Sequence, residues 1–389
     1  MLRLEQALLL RKMCQMVKPL WVYPPELLKK KDDMPKIKIL HIIDNTTFYE
    51  YLRATFEFNG IENTYAKYHE INLASLSNDY DLVFFHYLKA EHWTIIRNQH
   101  FPINKIVWYV WGADLFCLGA FFNSNLLPET LKNRESYWKS KGLIYYFKMK
   151  FHASFPRLFD WHPMYLPIRK SVNAIKNVVT LIPKDAELLL ENYNSTINHW
   201  HINYIDPIFL NEQPIPFNSG NNILLGNSSE FTNNHIDFLK TVDLTKELSY
   251  KLLIPLSYGN AYNATLVEQY IRENLDKDKV QVIKDFIPFD EYTRLLSTCE
   301  IAILPHLRQQ ALGNVIKLLY GGCHLYFYED SGVYQFLEKN NFLVSKIGTS
   351  FMPKKLTEPE KLINRQLTTQ YFGKSVIRKK VLEMITSLI

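Results

Sequence analysis

The sequence predicts an α/β protein made of two Rossmann-like parallel-sheet halves that face a cleft. Three observations carry the prediction. Short apolar runs alternate with polar turns and helical patterns from residue 36 onward, as in parallel sheets with crossover helices. A break rich in turn formers, with Pro207, Pro214, Pro216 and Ser219-Gly220, divides the alternation into two series. The chain has 389 residues, more than one ordinary domain holds.

In order, residues 1–20 fit a basic helix, either packed on the body or lying against a membrane, and Pro24-Pro25 with the charged run 29–33 reads as a linker. Strands are expected at 37–43, 81–85, 105–110, 178–182 and 201–205, with helices at 46–58 and 184–192. The rhythm breaks over 119–176. Between 129 and 176 there are ten Lys/Arg against three Asp/Glu, interleaved with aromatic residues, which predicts a basic aromatic helical insertion. The second series places strands at 223–225, 250–254, 280–283, 301–304 and 324–328. Its helices fall near 233–243, 261–275, 289–297, 309–319 and 333–338. A last helical pattern covers 376–389. The expected division is an extension (1–35), a first half (36–212), a second half (213–375) and a final helix (376–389).

Composition narrows the class. Apolar residues make up 47% of the chain and aromatics 14%, which is globular with an amphipathic surface. A net charge of +6 is too mild to indicate nucleic acid. Four dispersed cysteines show no zinc or disulfide spacing, as in a reduced, cytoplasmic protein. The apolar run at 7–10 is cut by Arg11-Lys12, which predicts no cleavable leader, and no stretch has membrane-spanning length.

In open α/β sheets, ligands sit beyond the carboxyl ends of the strands, so the loops there carry the candidate chemistry. After the 223–225 run come Gly226, Asn227 and Ser228, then a helical pattern. This order suits an anion held by backbone N–H groups and a helix start. After 301–304 come Arg308, Gln309, Gln310, Gly313 and Asn314, a guanidinium and amides at another helix start, fitted to a diphosphate. Phe286 and Ile287, in the loop after 280–283, either hold a flat base or belong to the core. Ser257 and Tyr258 sit in a fourth loop on the same edge, placed to contact sugar or phosphates. In the first half, Asp114 follows the 105–110 strand and is either a general base, raised by burial, or a cap. His86 ends the 81–85 strand and either orients an acceptor or is a satisfied structural histidine. Asp79-Tyr80-Asp81 has DxD spacing but precedes a strand, so no metal site is expected there.

The blocks WYVWGADLF (108–116), ILLGNSSEFTNNH (223–235), LIPLSYG (253–259), FDEYTRLLSTCEIAI (289–303) and LRQQALGNVIKLLYGG (307–322) together resemble the TDP-N-acetylfucosamine:lipid II N-acetylfucosaminyltransferases. These build a lipid-linked repeat of enterobacterial common antigen. The resemblance spans residues 36 to about 340. It implies a GT-B glycosyltransferase whose second half binds the donor and whose first half faces the acceptor. It also implies a peripheral enzyme on the cytoplasmic face of the bacterial inner membrane, acting on an undecaprenyl-diphosphate-linked saccharide. The nucleotide sugar, TDP- or UDP-linked, would be a substrate; no cofactor and no metal are implied. Gly226, Asn227, Ser228, Arg308, Gln309, Gln310 and Gly313 become donor-diphosphate residues, and Asp114 the favoured catalytic or acceptor-side residue. The basic aromatic insertion becomes a contact with an anionic leaflet. Two other readings predict different products: a sugar-nucleotide epimerase needs no acceptor, and a non-catalytic membrane-surface module binds no nucleoside diphosphate.

Overall fold

The computed structural model describes residues 36–45, 48–71, 79–89, 92–93, 96, 102–121, 123–155, 169–193, 196–210, 215–241, 250–348 and 351–389. The expected basic helix at 1–20 lies outside these residues.

The first half contains, in chain order, β1 (Ile37–Ile42), α1 (Tyr49–Phe56), β2 (Ile61–Ala66), β3 (Leu82–His86), β4 (Ile106–Val110), α2 (Ala113–Phe116), α3 (Pro128–Ser140), α4 (Leu143–Ser154), α5 (Arg169–Ala174), β5 (Asn177–Thr180), α6 (Pro183–Asn192) and β6 (Asn198–His201). Its six strands are all parallel, in the order β2-β1-β3-β4-β5-β6. β3 and β4 are buried along their whole length, which is why they read as unbroken apolar runs. β2 (IENTYA) is an edge strand, mostly half-buried, and its polar alternation hides it in the sequence. The strand expected at 201–205 is displaced. Pairing with β5 runs over 198–201, and Ile202 and Ile205 are buried core residues beyond the strand's end.

The second half contains β7 (Asn222–Leu225), α7 (His235–Thr241), β8 (Lys251–Pro255), α8 (Ala261–Asn274), β9 (Val280–Ile283), α9 (Phe289–Ser297), β10 (Cys299–Ile303), α10 (Leu312–Tyr320), β11 (His324–Phe327), α11 (Gly332–Lys339), β12 (Ser345–Lys346), α12 (Glu358–Phe372) and α13 (Lys374–Leu388). Its strands are also all parallel, in the order β12-β11-β10-β7-β8-β9. Read from the other edge this is the 3-2-1-4-5-6 order of a doubly wound sheet, whose strand order reverses between β7 and β10. In the first sheet the reversal falls between β1 and β3.

The halves share one core. Leu52 and Phe56 of α1 belong to the same buried cluster as Leu318 and Leu319 of α10 and Ile377, Val381, Met384 and Ile385 of α13. α13 crosses back onto the first half, where Arg378 donates to the carbonyls of Ala54 (3.2 Å) and Glu57 (2.6 Å).

Candidate active site

Both loops at the second sheet's reversal point belong to the predicted set, and they meet. Gln310 Nε2 donates to Asn227 Oδ1 at 2.7 Å, and Thr232 Oγ1 donates to Gln310 Oε1 at 2.6 Å. Asn227 Nδ2 in turn donates to the Tyr258 hydroxyl at 2.7 Å, so three of the edge loops form one connected network. Gly226 has φ +69, and a Cβ there would lie 2.5 Å from His235 Nε2, so only glycine fits the turn.

Three of the four N–H groups of the Gly226–Ser229 loop are already bonded, and Ser228 N–H is the one with no bond among the described residues. Gly226 N–H bonds Ile303 O (2.9 Å), Asn227 N–H bonds Asn233 Oδ1 (3.0 Å), and Ser229 N–H bonds Tyr258 O (2.8 Å). The helix behind the loop starts later than predicted, at His235, after a 3₁₀ turn and Asn234 at φ +47. The loop is tied to its surroundings by these bonds.

The open helix start is that of α10. It also begins later than predicted, at Leu312, behind Ala311 at φ +53, with no side chain capping it. Ala311, Leu312, Gly313 and Asn314 line a cavity of about 320 Å³ between the halves, together with Tyr258, Gln309 and Lys317 of the second half and Trp111, Tyr204 and Asp206 of the first. Uncapped N–H groups and the positive end of the helix dipole therefore face this cavity. A non-glycine residue held at positive φ costs ~1–3 kcal/mol and concentrates at functional sites.

Arg308 is half-buried beside this start. Its one described hydrogen bond is Nη1 to Gln309 O at 3.1 Å, and no carboxylate lies within ion-pair distance among the described residues. Burial lowers its pKa, opposed by the Cys117, Glu230, Tyr87 and Asp185 groups around it. Most of its N–H fork makes no other hydrogen bond among the described residues, although Arg308 itself does not line this cavity.

Phe286 and Ile287 line neither cavity, and Phe286 is 87% exposed; a base-stacking role is not prepared here. Ser257 is half-buried and lines neither cavity.

Asp114 is buried, and both its oxygens are committed. Oδ2 accepts from Trp108 Nε1 (2.8 Å) and Leu88 N–H (3.1 Å), and Oδ1 accepts from Trp111 N–H (2.9 Å). Burial raises its pKa to about 6, against these bonds. These bonds fix the turn after β4, as expected of the cap reading of Asp114. That turn packs tightly against the second half: Gly112 has φ +87, and a Cβ there would lie 2.6 Å from Gln309 O.

His86 is likewise engaged at both nitrogens. Asn63 Nδ2 donates to Phe56 O (2.8 Å), so its Oδ1 accepts from His41 Nε2 (3.0 Å). His41 Nδ1 then accepts from His86 Nε2 (2.9 Å), and His86 Nδ1 accepts from the Tyr204 hydroxyl (2.6 Å), which itself accepts from Trp111 Nε1 (2.7 Å). Two neutral imidazoles satisfy this chain. Burial pushes His41 down to about 4 and His86 well below the usual range. His86 thereby holds the Tyr204 hydroxyl, which in turn holds Trp111.

Behind Trp111 and Phe48, which line both cavities, a second cavity of about 510 Å³ occupies the first sheet's reversal point. It contains Asp44 and Lys89, paired at 2.7 Å. Burial raises the Asp44 pKa, but Lys89 and the Tyr68 N–H outweigh it and hold the carboxylate below its ordinary value.

Three charged groups escape the sequence reading. Asp44 follows β1, and Lys317 lies one helical turn beyond Gly313. Asp185 stands in the first turn of α6, just past β5. It is 1% exposed, its Oδ2 has no partner, and burial raises it to about 8. An acidic residue directly after a strand was the available signal.

Comparisons with known proteins bear on the fold and on the class of activity. Residues 205–344, the stretch that holds the β7 and β10 loops, match the model of the 4-alpha-L-fucosyltransferase family, glycosyl transferase group 56. A glycosyltransferase from Rickettsia africae ESF-5 superimposes with a TM-score of 0.57 at 13% identity, over 91% of this chain and 99% of that one. The sucrose-phosphate synthase of Thermosynechococcus elongatus gives 0.57 at 10% identity, over the same shares. A UDP-forming trehalose-phosphate synthase from Burkholderia xenovorans gives 0.54 at 8%, again over 91% and 99%. These structural likenesses establish the GT-B fold. Together with the family match, they make the chain a glycosyltransferase.

Proposed function

We propose that this GT-B glycosyltransferase moves a deoxy-amino sugar of the N-acetylfucosamine type from a nucleoside diphosphate, TDP or UDP, to a polyprenyl-diphosphate-linked saccharide. The setting is bacterial surface-glycan synthesis at the cytoplasmic face of the inner membrane. The observation that carries the donor reading is the convergence of the Asn227 and Arg308–Gln310 loops at one sheet's reversal point. The fucosyltransferase family match supports a deoxy sugar.

The donor diphosphate takes the cavity at the α10 start. As the glycosidic bond breaks, negative charge grows on the leaving phosphate oxygen. Arg308, the uncapped N–H groups of α10 and the Lys317 ammonium stabilise it without reorganising. The acceptor saccharide enters the neighbouring cavity, where the ionised Asp44 carboxylate accepts a hydrogen bond from the attacking hydroxyl. Trp111 and Phe48, their rings 4.5 Å apart, form the wall between the two sites.

Calorimetry with TDP and UDP, then product formation with and without a polyprenyl-diphosphate saccharide, tests the reading. Binding of neither nucleotide overturns it. Conversion of the sugar nucleotide without an acceptor makes the protein an epimerase-type enzyme instead.

A further inference from the structure

The insertion in the first half is a helical hairpin whose outer helix has an uncovered apolar stripe. Leu143 is 70% exposed, Ile144 89% and Phe147 65%. At helical spacing these three positions fall on one face. The opposite face carries Met149, the buried residue of α4. Leaving three large apolar side chains this open in one row marks a docking surface rather than ordinary exposure.

The charges around the stripe select what covers it. Lys139, Lys141 and Lys148 are exposed beside it, and no Asp or Glu occurs from residue 136 to 155. Lys139 Nζ lies 5.2 Å from the Tyr146 ring and Lys141 Nζ 5.3 Å from the Tyr137 ring, so cationic tips and amphipathic aromatics share one level. A second copy docked by the same patch would set lysine against lysine. An anionic bilayer surface satisfies both the stripe and the lysines. Among the described residues no helix is long and apolar enough to cross a membrane, so α4 would lie along the surface.

The hairpin is fastened to the donor half. Asp237 of α7 accepts the N–H groups of Glu129 and Thr130, each at 2.8 Å, and so caps the start of α3 from the other half. Asn234 Oδ1 accepts Leu127 N–H at 2.9 Å, and Tyr137 packs on Phe231 and Tyr262 at ring distances of 6.0 and 5.5 Å. We infer that the α3–α4 hairpin is a membrane-docking platform for anionic lipid, held by the donor half, which sets the donor cavity at a fixed attitude to the bilayer. Its purpose rests on the lipid-linked acceptor reading, but the surface is testable without any acceptor.

The test is flotation of the full chain with phosphatidylglycerol-rich and with pure phosphatidylcholine vesicles, beside nucleotide binding in solution. The wild type is expected to float with the anionic vesicles only, and to be released by high salt. The Ile144→Asp/Phe147→Asp variant is expected to lose binding about tenfold or more. Lys141→Gln/Lys148→Gln is expected to bind more weakly and with less salt dependence. Unchanged nucleotide binding shows that both variants are folded, and it reports on the transferase reading separately. Wild type that ignores anionic vesicles, or an aspartate variant that floats like wild type, overturns the inference. So does an aspartate variant that only dissociates a dimer in sedimentation.

Discussion

Arg308→Ala is the most discriminating perturbation. The guanidinium spends one N–H on Gln309 O and meets no carboxylate within ion-pair distance among the described residues. A diphosphate would take two of the remaining donors, and charge-assisted bonds contribute about 1.5–3 kcal/mol each. Two such bonds amount to about 3–6 kcal/mol, and loss of one preorganised transition-state donor elsewhere costs about 10²–10³ in turnover. We therefore expect kcat to fall about 10²–10⁴-fold. Arg308→Lys restores the charge but not the fork, and should recover only part of the loss. The assay is steady-state transfer, with calorimetry of the nucleoside diphosphate to separate binding from turnover. A folded Arg308→Ala protein with turnover within about threefold of wild type would refute the diphosphate role and its electrostatic rationale.

Other substitutions probe the surroundings. Asp185 has its pKa raised from 3.8 to about 8, so its contribution to stability is full below about pH 4 and is lost as pH rises through 8. Asp185→Asn cannot ionise, so its melting temperature should exceed that of wild type increasingly from pH 5 to pH 8 and level off above, with a ceiling of about 6 kcal/mol; parallel melting curves against pH would discount the buried carboxyl. Asp114→Asn should lower stability by about 2–3 kcal/mol, because an amide NH₂ then faces an N–H donor, while nucleotide binding survives. A variant with unchanged melting but no transfer would return Asp114 to the role of base. Gly112→Ala should cost about 1–3 kcal/mol in thermal denaturation and depress turnover, since its Cβ meets the Gln309 backbone; wild-type melting would mean the halves stand farther apart in solution. Asp44→Asn should reduce kcat and spare donor affinity; an unchanged kcat removes Asp44 from the acceptor site.

The architecture was legible because buried parallel strands leave a plain mark. LVFFH and IVWYV can be little else, and a polar loop follows each. Chain order also foretold that the loops after β7 and β10 share an edge. Among the edge strands, β2 is half-polar and β12 has only two residues, so periodicity misses them. α12 escaped although Thr357 and Glu360 form a capping box, a signal present in the sequence and not read. At the site, the sequence names residues but not their hydrogen-bond partners. Whether Asp114 is free or clamped depends on Trp108, Leu88 and Trp111 arriving together, which only tertiary structure decides. The same holds for the Gly226 loop, where Asn233, Ile303 and Tyr258 take three of the four N–H groups.

The return of α13 has a consequence for biosynthesis. Arg378 bonds the carbonyl of Ala54 across 324 positions of sequence, and Ile377, Val381, Met384 and Ile385 join the cluster that holds Leu52 and Phe56. While the polypeptide emerges from the ribosome, the earliest strands and α1 can pair, yet this part of their apolar cover is synthesised long afterwards. The nascent first half should therefore be a substrate for holding chaperones until translation passes α13. A chain stopped at Gly373 should be cut rapidly by protease near α1; equal resistance to the full chain would show that the early half closes unaided.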